Sequence, residues 1–227
     1  MSSAEASVED LSPHSSGDAS GRSRKADPRL SALTKDVAEQ DQAKLSQVIL
    51  RDVAILAALL SLFAAAETWA TASGLGLASL LSVVDGLLVG VATAGLLHEW
   101  GHFAGARLAG GHAPLKPIGS FPTLFDFDYK NNDSRAFDWM SIGGNAADIA
   151  AVLVLFFALP VSTPGQAALV AGAFGFAVFA ASVEFPVIRK ARSGMTGIQA
   201  LSTLPRDFFA RYSRRGAIAA AIAFVIL

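Results

Sequence analysis

The chain contains no cysteine, which excludes disulfides and any metal held by thiolate. Charge is scarce: 16% of its 227 residues are Asp, Glu, Lys or Arg, against about 25% in ordinary soluble domains. A net charge of -1 gives no basis for nucleic-acid binding, and none is expected. The first 47 residues hold no apolar core of signal-peptide length, so the first apolar run is read as an uncleaved signal anchor. Histidine is also rare, at four residues.

What is present is apolar surface, unevenly placed. Hydrophobic residues make up 52% of the chain, and four runs carry most of them. These are Val53 to Ser73, Leu75 to Leu97 with a helical continuation toward Ala109, Trp139 to Leu159, and Ala167 to Ile188. Each has about 20 residues, enough to cross a hydrocarbon core of roughly 30 Å. A further run, Gly216 to Leu227, is too short for a full crossing. The expected fold is an all-α, polytopic membrane helix bundle of four to five spans, occupying residues 48–227 within a lipid bilayer.

Residues 1–47 are rich in Ser, Ala, Asp and Glu and read as a disordered cytoplasmic tail, with Leu30 to Leu50 as a short amphipathic helix leading into the membrane. The 18 Lys and Arg residues fall in three places: the chain ahead of the first apolar run, up to Arg51; Arg107 to Arg135; and Arg189 to Arg215. The connections around Gly74 and from Pro160 to Gln166 carry none. That asymmetry implies a cytoplasmic N-terminus, and the expected location is a bacterial inner (plasma) membrane, which the protein crosses several times. Between the second and third runs, Gly110-Gly111 stops a helix and Pro114, Pro117 and Pro122 prevent another. With Leu115, Ile118, Phe121, Leu124, Phe125 and Phe127, this stretch is too apolar for a solvated loop. It is expected as an extended or hairpin segment against the bilayer or in a cleft.

At the cytoplasmic end of the second run stands His98-Glu99-Trp100-Gly101-His102. Residues four apart share a helix face, so both imidazoles can reach one zinc ion with Glu99 beside them as general base. Ionisable groups at membrane depth are costly and mark function by default. Gly101 keeps the helix narrow, so a substrate strand or neighbouring helix can approach.

A catalytic zinc takes three protein ligands and keeps one position open. His14 lies in the tail, and His112 reads as a solvated loop side chain. Asp85 lies 13 residues before His98, about 20 Å along the helix, and is expected to pair with another span. Asp126 and Asp128 alternate with phenylalanines and suit a solvated strand face. Glu184 is within reach but just precedes Pro186. Asp148, at a matching depth in the third span, is the favoured third ligand; the alternative is a carboxylate hydrogen-bonded between helices.

Over roughly residues 90–200 the chain resembles the site-2 protease family of intramembrane zinc metalloproteases. LLHEWGHFAGARLAGG is similar to that family's HExxH helix and glycine turn, and the Gly119-Ser120-Phe121 region to its membrane-associated strand. Gly144-Asn145-Ala146-Ala147-Asp148 resembles its Gly-Pro-x-x-Asn element, with Asn145 and Asp148 replacing the proline and asparagine. Phe185-Pro186 through Gly197 resembles the stretch leading to its Asp-Gly, but here Thr196 runs directly into Gly197 and the family's third-ligand aspartate has no counterpart. The resemblance implies an intramembrane zinc endopeptidase. Its partner would be a membrane-anchored protein cut in or beside its transmembrane segment, with Asn145 binding exposed substrate backbone. The other implied class is an inactive relative that binds or regulates membrane partners.

Overall fold

The computed structural model describes the backbone of residues 28–120 and 123–227, with side chains described from residue 41 onward. Six helices follow one another: α1 (Pro28–Ser73), α2 (Gly76–Leu108), α3 (Ser134–Ala158), α4 (Pro164–Arg192), α5 (Gly197–Ser202) and α6 (Phe208–Ile226). Their ends follow local chemistry. Asp133 caps α3 by accepting from Ala136 N–H, and Thr163 caps α4 just before Pro164. Thr196 and Gln199 form a capping box on α5. Gly74 and Gly110, with φ of 64° and 79°, end α1 and α2 in the left-handed region that favours glycine.

The molecule is an all-α polytopic membrane bundle. Four helical stretches are long and apolar enough to cross a membrane: Asp41–Ser73, Gly76–Leu108, Ser134–Ala158 and Pro164–Arg192. Leucines such as Leu62, Leu77, Leu80 and Leu88 are exposed on their outer faces, where acyl chains rather than water would meet them. The ends facing the Lys- and Arg-rich segments run longer than the apolar runs alone indicate. The 33 residues from Asp41 to Ser73 extend about 50 Å, well beyond a hydrocarbon core of roughly 30 Å.

The structure extends the reading at both ends of the bundle. The helix expected from Leu30 to Leu50 is present and longer, because α1 runs unbroken from Pro28 into the membrane span, so residues 28–47 are helix rather than the disordered tail expected there; residues 1–27 lie outside the described part of the chain. Glu39–Leu227 forms one compact unit. The apolar run from Gly216 is the second half of α6, a 19-residue helix whose first half carries Arg211, Arg214 and Arg215.

α2 is central and packs on both α3 and α4, while α4 also carries α6. Small residues make the α2–α3 contact close. A Cβ at Gly101 would lie 2.6 Å from Ala147 Cβ and overlap the Gly143 carbonyl, so it is α3 that exploits the narrow surface at Gly101. α1 joins through side chains: Phe63 packs with Val89 and Leu169, and Glu67 accepts from the Ser82 hydroxyl of α2.

The segment between α2 and α3 folds back on itself. Leu115 and Phe125 form an isolated antiparallel bridge, flanked by Lys116 N–H to Leu124 O at 3.1 Å and Asp126 N–H to Pro114 O at 3.0 Å. The expected hairpin is therefore present, and it is the only β pairing among the described residues. Its far end is tied by Asp128, which accepts from the Lys130 and Asn131 backbone and the Asn131 amide. The Asn131 side chain holds the Asp128 carboxyl below the usual carboxylate range.

Candidate metal centre

His98 and His102 project from the last turns of α2, one turn apart, with ring centroids 4.3 Å from each other. Each ring is fixed by its Nδ1. His98 Nδ1 stands 2.9 Å from Asp148 Oδ2 of α3, and His102 Nδ1 stands 2.8 Å from the Met140 carbonyl. A carbonyl only accepts, so His102 Nδ1 is the donor, and the same tautomer at His98 satisfies Asp148.

Both Nε2 atoms then turn to one place. Glu184 of α4 supplies the carboxylate there, with Oε1 at 3.1 Å from His98 Nε2 and 2.9 Å from His102 Nε2. One donor atom from each of His98, His102 and Glu184 lies within 4.8 Å of the others. Neutral imidazoles in this tautomer present lone pairs to a carboxylate oxygen, and three converging acceptors attract a cation. The donor set of two histidines and one glutamate fits a zinc ion, as does the carboxylate behind His98. The outcome is a polytopic helix bundle with a His/His/Glu cluster able to hold a metal.

Asp148, expected as the third ligand, stands instead on the opposite edge of the His98 ring, 2% exposed. The reason is where the helices face. α3 meets the side of α2 that carries Gly101 and Gly105, whereas α4 faces both Nε2 atoms. Glu184 reaches the cluster because α4 continues through Pro186 to Arg192. Sequence reasoning had Glu184 in view at a suitable depth, but the following proline counted against it.

Asn145 lies inside the same network. Its amide donates to Glu184 Oε2 at 2.5 Å and to the Ser141 carbonyl at 3.0 Å. Both amide hydrogens are thereby engaged, and they steady the carboxylate oxygen that does not face the histidines. Thr196, which runs directly into Gly197, uses its hydroxyl to cap α5.

Glu99 is half-buried and lines a cavity of about 360 Å³ together with His102, Glu184 and Ser141. The hairpin supplies the other wall through Phe125, Phe127 and Tyr129. Burial, reinforced by the Glu184 and Glu99 carboxylates, pushes the Tyr129 phenol above its usual value. Asp126 is 71% exposed and pairs with Lys116 at 3.1 Å. His112 is 69% exposed and 3.6 Å from Asp128. Asp85, expected to pair with another span, has a buried Oδ2 with no hydrogen-bond partner among the described residues. His14 falls outside the described residues.

No family model, curated protein or solved structure matches the chain.

Proposed function

We propose that this protein is an intramembrane zinc metalloendopeptidase that cleaves transmembrane or juxtamembrane segments of membrane-anchored proteins. The observation that carries the reading is the convergence of His98 Nε2, His102 Nε2 and Glu184 Oε1, each ring held from behind by Asp148 or the Met140 carbonyl. Set beside a glutamate within an HExxH string and a cavity at the end of a span, that set has the parts of a hydrolytic zinc site. The sequence resemblance to the site-2 proteases points the same way, with Glu184 in the role their aspartate fills.

In this reading His98, His102 and Glu184 hold the zinc, and Asp148 and Asn145 orient two of those three ligands. When bound, zinc supplies Lewis acidity, polarising a water and the scissile carbonyl. The Glu99 carboxylate takes the proton of the attacking water and delivers it to the leaving amine. The hairpin and the α2–α4 face hold the substrate in extended form beside Glu99, since a helical segment keeps its carbonyls engaged. Phe125, Phe127 and Tyr129 limit bulk water at the cleft. The zinc ligands lie at the end of α2 nearest the basic segments, which puts the cleft on the cytoplasmic side of the bilayer if the positive-inside rule sets the orientation.

Glu99→Gln tests this directly. The variant is expected to retain one equivalent of zinc and to lose cleavage of a membrane-anchored reporter by at least about a hundredfold. Cleavage at the parental rate would refute the mechanism. Purified protein without zinc, with reporter turnover unaffected by His98→Ala, would support the non-catalytic alternative.

A further inference from the structure

Asp52 is a buried carboxylate that the proposed chemistry does not use. It is 3% exposed and lies on α1, close to where that helix enters the membrane. Oδ2 accepts from the indole Nε1–H of Trp100 at 2.8 Å, and Oδ1 accepts from Arg51 Nε at 2.6 Å. The Arg51 guanidinium in turn donates through Nη1 to the Ile118 carbonyl at the tip of the hairpin, at 2.5 Å. One carboxylate thus connects the HEWGH turn of α2 to the hairpin that walls the cavity.

The placement of Trp100 gives this its meaning. At 100° per residue, it points about 200° from His98 and about 160° from His102, so it leaves α2 on the side opposite both imidazoles. The helix is held at this level from three directions: α3 at Gly101, α4 at the histidines and α1 at Trp100. Rotating a helix by about 10° moves an atom some 6 Å from its axis by about 1 Å. A shift of that size is enough to spoil a ligand set or a reacting geometry. A leucine at position 52 would pack without the desolvation cost of a buried carboxylate, but it would fix neither the rotation of α2 nor the hairpin tip.

We infer that Asp52 is a positioning residue: through Trp100 it sets the rotation of the HEWGH helix, and through Arg51 it holds the hairpin over the cleft. Its relevance to proteolysis rests on the function proposed above, while its grip on the two elements does not. The neighbouring contacts serve the same end. Val48 packs against Phe103, Leu115 and Leu124, and Asp41 pairs with Arg107 at 2.9 Å.

The full-length protein in phospholipid nanodiscs provides the test, read by Co(II) as the metal probe and by a spin label at Gly119→Cys in a chain with no other cysteine. Asp52→Leu and Trp100→Phe should each alter the visible Co(II) spectrum and weaken Co(II) binding about tenfold. The double variant should be no worse than either single one, because both remove the same hydrogen bond. Asp52→Asn keeps an acceptor for Trp100 but drops the charge that holds Arg51. It should therefore retain the Co(II) spectrum while freeing the label at position 119. An unchanged spectrum in both Asp52→Leu and Trp100→Phe, or a label in Asp52→Leu and Asp52→Asn that stays as immobile as in the parent protein, would overturn the inference. If the parent protein takes up no Co(II), the zinc reading fails on its own, and the label still decides whether Asp52 restrains the hairpin.

Discussion

At the residue scale, the cluster divides into the three groups that converge and could hold a metal, and the groups that hold those three from behind. Glu184→Ala removes a member of the converging set, and stoichiometric zinc should be lost in metal analysis of the purified protein. Asp148→Ala leaves all three donors in place but strips the acceptor from His98 Nδ1. The expected result is retained binding weakened by about 10–100-fold in a competitive chelator titration. Equal effects of the two substitutions would contradict the assignment of their roles. The histidine pair was legible in the sequence because a four-residue spacing on a helix is a local rule that needs no tertiary information. Choosing between Asp148 and Glu184 was not local. Both carboxylates lie at compatible depths, and only the facing of α3 and α4 around α2 decides which oxygen meets the Nε2 atoms. Asp52 was hidden for the same reason, since its partner is 48 residues away.

At the scale of elements, the geometry depends on how closely α3 approaches α2. Gly144 is where that approach reaches the site, because a Cβ there would stand 2.5 Å from His102 Cε1 and 2.8 Å from Nδ1. Gly144→Ala should therefore push the His102 ring off the Met140 carbonyl while α2 and α3 remain helical. Circular dichroism would be unchanged and the Co(II) spectrum altered; the opposite pattern would locate the damage in the helices. The element boundaries were readable wherever a cap or a glycine turn punctuates the chain, as at Asp133, Thr163 and Gly110. Hydropathy alone located the spans but not the full length of the helices. α1 continues through polar residues before the membrane, because Ala, Leu, Lys, Gln and Glu sustain a helix as well there as apolar residues do within lipid.

At the scale of the whole molecule, the four spans and the placement of all Lys and Arg on alternate connections define a testable topology. Single cysteines at Ser193 and Lys130 should react with a membrane-impermeant maleimide only from the cytoplasmic side, and one at Ser162 only from the other. Labelling of all three from one face would contradict the orientation. The bundle was visible in the sequence because spanning length is a property of each run by itself. The mutual facing of the spans is not, and the site arises from that facing. The proline inside α4 also bears on how the centre is filled and emptied. Pro186 has no N–H to offer the Ser182 carbonyl, so the backbone ladder is interrupted across the turn that bears Glu184. The carboxylate of the cluster thus stands beside a missing ladder bond that makes α4 easier to bend, while both imidazoles are mounted on a helix with no proline in it. If the cluster holds zinc as proposed, release of the ion is expected to follow bending of α4 rather than movement of the histidines. Pro186→Ala should lengthen the residence time of bound metal several-fold in a chelator-chase experiment, with little change in its capture by the histidines.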